Sequence, residues 1–217
     1  MVAHRFPNLF VLDHPLIQHK LTLLRDRHTT TRDFKQLVTE ISVLMGYEVT
    51  KDLPTEPHEI ETPLERMVGT QVAGKKLVLV PILRAGLGMV DGLTQLVPSA
   101  RVGHIGMVRD HETLKASTYA ERLPEDLSGR QCYVLDPMLA TGGTLVAAID
   151  FLLARGARDV TAVCLLAAPE GLAVVEQAVG DRAEVSVVVA AVDERLNDKA
   201  YIVPGLGDAG DRLYGVV

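Results

Sequence analysis

Apolar residues occur along this chain in two kinds of segment, continuous short runs and residues repeated at helical spacing. The runs are rich in Val, Leu and Ile, which is typical of strands buried on both faces of a sheet. They cover residues 77–83, 101–108, 132–135, 160–167 and 184–192. Helical spacing of apolar side chains is found in the segments between them, at residues 90–96, 145–153 and 169–179.

This alternation predicts an α/β fold with a mainly parallel sheet flanked by helices. Ligands of such folds bind outside the carboxyl ends of the strands. Two helices are predicted before the first run, one within residues 13–27 and an amphipathic one from Phe34 to Met45. Thr30 and Asp33 resemble a capping box at the start of the second helix.

Several segments lack a regular pattern. Residues 52–57 contain two prolines and predict a turn, and residues 60–64 predict an extended segment or a sheet edge. Residues 109–127 are polar without a sustained period, so we expect a flap or hairpin arm there. The end of the chain, residues 193–217, is rich in glycine and predicts a loop segment.

The composition supports this fold and argues against some classes of function. The chain has 217 residues, 47% of them hydrophobic and 4% aromatic, with no Trp, so we expect one domain with an aliphatic core. The net charge of -6 argues against broad nucleic-acid binding. Cys132 and Cys164 lie in aliphatic runs and are expected to be buried free thiols. Because no run is long enough to cross a membrane and no signal peptide is evident, we expect a cytoplasmic protein with no membrane partner.

The chemistry is concentrated in residues 134–144, which read VLDPMLATGGT. A strand, a glycine-rich loop and a helix start follow one another here, and the free N–H groups and dipole of a helix start favour a phosphate. Gly142 and Gly143 allow close approach of the backbone, and Thr141 and Thr144 can add hydroxyl donors. A negatively charged ligand is therefore expected at this loop.

Spacing alone leaves more than one role open for this loop. An ordinary strand-to-helix turn capped by Thr is as compatible with the pattern as a phosphate site. The Walker pattern fails because no Lys follows the glycines, and the dinucleotide pattern fails because the glycines are adjacent. Asp136, at the strand end, is suited to sugar hydroxyls or a hydrated metal, so the combination favours a phosphorylated ribose.

Four segments in order resemble the uracil phosphoribosyltransferase family, within the type I phosphoribosyltransferases. They are IETPL at residues 60–64, PILRAGLGM at 81–89, DPMLATGGT at 136–144 and YIVPGLGDAGDRLYG at 201–215. Type I enzymes usually have two adjacent acidic residues in the third segment, whereas the uracil enzymes resemble this chain in having Asp136 followed by Pro137. The resemblance implies transfer of phosphoribose from 5-phospho-α-D-ribose 1-diphosphate (PRPP) to uracil, giving UMP and diphosphate in pyrimidine salvage.

The resemblance also implies residue roles. Catalysis is assigned to Asp136, Arg84 and Arg109, with the two arginines on the diphosphate. PRPP binding is assigned to Arg84, Arg109, Asp136, Pro137, Met138, Leu139, Ala140, Thr141, Gly142, Gly143, Thr144 and Asp208. Uracil binding is assigned to Ile202, Gly207, Asp208 and Ala209. Mg2+ is the expected cofactor, held mainly by PRPP and water.

Ordinary structural roles are the alternatives for these residues. An arginine after a strand is usually a surface charge, and a glycine-rich tail usually only covers a sheet. The family context favours the functional role, more firmly for Arg84 than for Arg109. It also implies a homodimer or higher homo-oligomer and makes GTP a candidate effector.

The chain departs from the family pattern mainly in the arm. The departures are Val108, His111, Lys115, Ala116 and Arg122, together with Val216 near the end. They leave arm conformation, subunit contacts and effector control open. Two rival functions are transfer to another nucleobase, which the C-terminal segment disfavours, and an RNA-binding nucleotide sensor with the same fold, which the acidic balance disfavours.

Overall fold

The computed structural model describes residues 8–109, 116–182 and 184–215, without the side chains of residues 107–109 and 116–120. His111, Lys115 and Val216, three of the departures named above, lie outside the described residues. The helices are α1 (Pro15–Arg25), α2 (Thr31–Val49), α3 (Leu87–Leu96), α4 (Gly143–Ala154), α5 (Pro169–Val179) and α6 (Ala209–Tyr214). The strands are β1 (Leu9–Val11), β2 (Thr55–Glu61), β3 (Arg66–Val72), β4 (Val78–Leu83), β5 (Arg101–Val102), β6 (His104–Arg109), β7 (Ala116–Arg122), β8 (Cys132–Leu135), β9 (Met138–Leu139), β10 (Val160–Ala167), β11 (Val185–Val192), β12 (Arg195–Leu196) and β13 (Ile202–Val203).

The central sheet is mainly parallel, as the sequence predicts. Its strand order is β1-β11-β10-β8-β4-β6-β7, with β5 beside β4 and β9 beside β10. Within it, β7 pairs antiparallel with β6, and the other pairings among the described strands of this sheet are parallel. The carboxyl ends of β4 and β8 are therefore neighbours, with Pro81 opposite Leu135.

Helices cover both faces of the sheet because alternate strand residues point to opposite sides. On one face, Val80 and Val134 belong to a cluster with apolar residues of α4 and α5. On the other, Leu79 and Leu135 belong to a cluster with residues of α1, α2, α3 and α6. Both Cys132 and Cys164 are buried and free, as expected.

The two N-terminal helices agree with the sequence pattern. Ile17, Leu21 and Leu24 are the buried residues of α1. At the start of α2, the backbone N–H of Asp33 donates to Thr30 Oγ1 at 3.2 Å, and this hydroxyl donates to Asp33 Oδ2 at 2.8 Å. The predicted cap is thus formed, with Asp33 in place of the usual Glu.

The segment after α2 differs from the prediction. Strands β2 and β3 form a separate antiparallel hairpin, from Thr55 opposite Val72 to Glu61 opposite Arg66. Residues 55–57, predicted as part of a turn, belong to a strand, and residues 60–64 cross from that strand into the connecting turn. All seven residues of β2 are exposed, so no buried face imposes an alternating pattern on the sequence.

Two boundaries in the middle of the chain also differ. The predicted strand 101–108 is divided at Gly103, where a Cβ would lie 2.1 Å from a methyl carbon of Leu123. Helix α3 begins at Leu87, three residues before the apolar pattern starts at Val90. Of the glycines that suggested a loop, Gly86 is required because a Cβ there would lie 2.2 Å from Leu135 O, and Gly88 packs closely against the side chain of Leu213.

The predicted arm is in part a hairpin extension of the sheet. Strand β7 returns along β6, with Arg109 opposite Ala116 and His104 opposite Arg122. In the part of the chain that the structure describes, no helix is both long and apolar enough to cross a membrane.

Candidate active site

The central loop, residues 136–144, joins the end of β8 to the start of α4 and is fixed to the neighbouring strand. The carbonyl of Pro137 accepts hydrogen bonds from the amides of Leu165 and Leu166, at 3.1 and 3.0 Å. The amide of Ala168 donates to Leu139 O at 2.9 Å. The loop is therefore held by the sheet backbone before any ligand binds.

The start of α4 is open to an anion. Gly142 is the N-cap, with φ at 82° and no side-chain cap hydrogen bond. A Cβ at Gly142 would lie 2.6 Å from Gly171 O, so glycine is required, whereas a Cβ at Gly143 would meet nothing within 4 Å. The first amide to bond back is that of Val146, which donates to Gly142 O at 3.0 Å. The cap is a glycine rather than a threonine, and the preceding amides of the first turn have no intrahelical acceptor.

Asp136 lies at the end of β8 with its side chain half-buried. Desolvation raises the pKa of its carboxyl group from 3.8 to about 6, and the hydrogen bond from the Met138 amide to Oδ1, at 3.2 Å, opposes that rise. The carboxylate is thus held in place by the loop backbone and partly shielded from water.

A cavity of 130 Å³ is formed over this loop. Its lining residues are Asp136, Met138, Leu139, Ala140, Thr141, Gly142, Thr144, Leu145 and Ala200. Ala200 comes from the C-terminal segment and has φ at 60°, a left-handed conformation that is uncommon for a residue with a Cβ. The C-terminal segment therefore contributes one wall of the central cavity.

Arg84 follows β4 and lies beside the central loop in the sheet. Gly86 allows the segment after β4 to approach the end of β8 closely, since a Cβ at Gly86 would lie 2.2 Å from Leu135 O. The Arg84 side chain is 60% exposed, and its Nη2 is 3.8 Å from Asp211 Oδ1. The guanidinium is thus accessible to an anionic ligand at the carboxyl edge.

The C-terminal helix also contacts the backbone of Arg84. The Tyr214 hydroxyl donates to Arg84 O at 3.1 Å. Burial raises the pKa of Tyr214 above its ordinary value, so this phenol stays protonated as a donor. The segment predicted to read the base is therefore adjacent to the arginine predicted to bind the diphosphate.

The predicted uracil residues divide into buried and exposed pairs. Ile202 and Ala209 are only 5% and 4% exposed and belong to the core cluster on this face, whereas Gly207 and Asp208 are exposed. Asp208 Oδ1 accepts from the Asp211 amide at 2.9 Å and caps α6. The predicted loop thus ends in a short helix, and Asp208 has a structural role as its cap in addition to the predicted role in binding.

Arg109 is the last residue of β6, which adjoins β4 on the side away from β8. Its side chain is outside the described residues, so its predicted diphosphate contact stays a prediction. Among the residues that the structure describes, no three His, Cys, Asp or Glu side chains are grouped as a metal site. Asp136 is the carboxylate that lines the cavity over the central loop, and Asp211 is the carboxylate beside Arg84.

The structure brings together the central loop, Arg84 and the C-terminal segment. Sequence reasoning did not identify Ala200, Asp211 or Tyr214, which contact the first two elements. The spacing from Asp208 to Asp211 carried a usable signal, since an Asp followed three residues later by another acid often marks a helix start. Nothing local in the sequence indicated that Ala200 would line the cavity.

Comparison with known proteins gives agreeing results. The family model described as uracil phosphoribosyltransferase matches residues 11–216. The uracil phosphoribosyltransferase of Beutenbergia cavernae is 64% identical over 207 residues, covering 95% of this chain and 98% of that protein. The structure of the AQ2163 protein from Aquifex aeolicus is 44% identical, with a TM-score of 0.89, and the match covers 96% of this chain and 98% of that one.

A more distant structure shares only the fold. A hypoxanthine phosphoribosyltransferase from Staphylococcus aureus is 16% identical, with a TM-score of 0.51, and the match covers 83% of this chain and 82% of that one. The mainly parallel sheet flanked by helices is thus common to proteins that are far apart in sequence.

Proposed function

The chain belongs to the uracil phosphoribosyltransferase family, and from this premise we propose that it converts uracil and PRPP to UMP and diphosphate, as an enzyme of pyrimidine salvage. The observation that carries the proposal is the meeting of the central loop, Arg84 and the C-terminal segment at the carboxyl edge of one sheet. Each of these elements suits a different part of the two substrates.

The 5-phosphate is proposed to bind at the start of α4. The glycine cap and the open space at Gly143 support this, because a phosphate oxygen can approach the uncapped amides of the first turn closely. Met138, Leu139, Ala140, Thr141 and Thr144, which are also assigned to PRPP, line the cavity around this point together with Ala200. Pro137, likewise assigned to PRPP, is buried.

Bond cleavage at ribose C1 places positive charge on the sugar and negative charge on the leaving diphosphate. Asp136 is proposed to bind the ribose hydroxyls, and its carboxylate offsets the developing positive charge. Arg84 and Arg109 are proposed to bind the diphosphate through their planar guanidinium groups. For Arg84, this role is supported by the exposure of its side chain and by its position beside the central loop.

The base is proposed to lie against the backbone around Ile202, Gly207, Asp208 and Ala209. Burial of the Ile202 and Ala209 side chains supports reading by backbone groups, since those side chains pack into the core instead. Uracil presents acceptors at O2 and O4 and a donor at N3, which backbone amides and carbonyls can match. Asp208 is proposed to reach the ribosyl group as well, from its position as the cap of α6.

Mg2+ is the proposed cofactor. Asp136 fits a hydrated Mg2+ as one carboxylate ligand or through water, with the other positions supplied by PRPP oxygens. When bound, the ion would neutralise charge on the diphosphate. Among the described residues that line the cavity over the central loop, Asp136 is the one carboxylate, which supports a metal held chiefly by the substrate.

A homodimer or higher oligomer is proposed, with the β2–β3 hairpin as a contact. Ile60 and Met67 are directly opposite each other on this hairpin and are 42% and 47% exposed, so a second subunit could bury them. GTP is proposed as an effector. A cytoplasmic location is proposed, which the two buried free cysteines support.

The test is product identification. The purified chain is incubated with PRPP, Mg2+ and each nucleobase in turn, and any nucleotide is identified by mass and chromatography. UMP from uracil is expected. Cytosine mismatches two buried contacts at about 1 to 3 kcal/mol each, so its use should be at least tens-fold lower. Another nucleobase used preferentially, or no nucleotide formed, would contradict the proposal.

A further inference from the structure

A half-buried ion pair joins the end of α1 to the residue that follows β11, and neither of its residues is assigned to the site. Arg25, the last residue of α1, faces Asp193, which follows β11. The distance from Nη2 to Oδ1 is 2.5 Å and that from Nη1 to Oδ2 is 2.7 Å, so the contact is bidentate. The Asp193 side chain is only 5% exposed. Such geometry fixes orientation as well as distance.

The same pair holds both backbone polar groups of Gly205. The Gly205 amide donates to Asp193 Oδ2 at 2.8 Å, and Arg25 Nη1 donates to Gly205 O at 2.9 Å. Gly205 has φ at 63°, and a Cβ there would lie 2.1 Å from Ile202 O. The turn after Ile202 is therefore fixed by charged side chains that lie outside it, one of them from the distant helix α1.

The next residue along the turn is also anchored from outside the site. Arg212 Nη1 donates to Leu206 O at 2.9 Å and to Leu24 O at 2.8 Å. Gly207 follows immediately and is exposed, with φ at 81°, and the nearest atom to a Cβ there would be Arg212 Cδ at 3.8 Å. Within the described residues, no hydrogen bond engages the backbone of Gly207. The anchoring thus stops at Leu206, directly before the exposed Gly207, whose backbone groups are predicted to read the base.

We propose that Arg25 and Asp193 are positioning residues that set the affinity for the base by fixing the turn 202–207, without touching either substrate. The inference rests on the proposed function. A backbone that reads a base edge must be held before binding, because the entropy of ordering it would otherwise weaken binding. The ion pair supplies that order to the base side of the site alone, since none of its contacts reach the central loop.

The test uses Arg25→Lys, which keeps the charge and loses the fork, and Asp193→Asn, which keeps the shape and loses the charge. In each variant the KM for uracil should rise about tenfold or more, while the KM for PRPP stays within about twofold. Arg182→Ala is the matched control, because it removes an exposed pair with Asp150 at 3.1 Å. It should change neither constant.

Two further measurements separate positioning from a general loss of structure. Arg25→Ala should be rescued in its uracil KM by added guanidinium ion but not by added ammonium ion. Amide hydrogen exchange in residues 202–209 should be faster in Arg25→Lys than in the parent, while exchange in α4 is unchanged.

Equal changes in both KM values, or a lower melting temperature with unchanged KM values, would overturn the inference. A parent chain that forms no UMP would instead contradict the proposed function. In that case the exchange measurement still decides whether the pair fixes the turn.

Discussion

The charge on Asp136 is costly to the folded chain unless a ligand uses it. Its position at the end of a buried strand could be predicted from the sequence, because the apolar run stops there and the glycines follow. The rise of its pKa to about 6 could not, since it depends on how the neighbouring elements cover the carboxyl group. Functional sites often keep such groups at a cost in stability.

Asp136→Asn should separate this cost from the function. Because the pKa of Asp136 is raised in the folded state, the protonated carboxyl stabilises the folded chain. This stabilisation is complete below about pH 4 and is lost as the pH rises through about 6. Asn has no such loss. The melting temperature of the variant relative to the parent should therefore increase between about pH 4 and pH 7, while UMP formation falls.

Asp181→Asn is the control for this experiment, because Asp181 is an exposed carboxylate away from the site. If Asp136→Asn instead loses thermal stability at neutral pH but keeps full specific activity, Asp136 is only a turn residue.

Arg84→Ala should damage turnover at saturating PRPP. Loss of a charge-assisted contact costs about 1.5 to 3 kcal/mol, roughly a ten- to hundredfold decrease in rate. Because the side chain is 60% exposed, the melting temperature should hardly change. Steady-state kinetics with Arg182→Ala as the exposed control checks this, and a near-normal rate would remove Arg84 from the site.

Gly207→Val should raise the KM for uracil well before that for PRPP, because a branched side chain would stand where the backbone meets the base. Val also strains the backbone, since φ is 81°. Gly74 is an ideal comparison, with the same φ of 81° and nothing within 4 Å of a Cβ. Gly74→Val should show similar strain and normal uracil kinetics, and unchanged kinetics in Gly207→Val would exclude this loop from base reading.

At the scale of elements, the sequence predicted the bounds of helices and strands that have a buried face better than those of elements whose residues are exposed. Helix α5 and strand β10 have the predicted bounds, since burial fixes the apolar positions in both. The β2–β3 hairpin was missed because its strands have no buried face. Helix α6 was predicted as a loop because it is only six residues long and lies in a glycine-rich segment of the chain.

The hairpin carries a prediction at this scale. The double substitution Ile60→Asp with Met67→Asp should shift the chain toward smaller species, because two charges would be buried in a subunit contact. Light scattering after size exclusion measures this. Glu59→Gln with Val68→Thr alters another cross-strand pair of the hairpin without adding charge and serves as the control. An unchanged mass for the double Asp variant would exclude the hairpin as a contact.

At the scale of the whole molecule, the parallel sheet explains why the site could be predicted in outline. Loops after neighbouring parallel strands meet at one edge, so Arg84 and Asp136 were expected to approach each other. The contributions of the C-terminal segment could not be predicted in this way. Arg25 and Asp193 are 168 residues apart, and no periodicity in either neighbourhood indicates that they meet.

The central claim is that the central loop, Arg84 and the C-terminal segment form one site for both substrates. Its most direct test is an experimental structure of the chain with UMP, diphosphate and Mg2+. The account predicts the 5-phosphate on the amides at the start of α4, the ribose hydroxyls at Asp136, the diphosphate at Arg84 and the uracil edge against residues 202–209. A phosphate bound away from the α4 start, or a base lying away from the C-terminal segment, would contradict it.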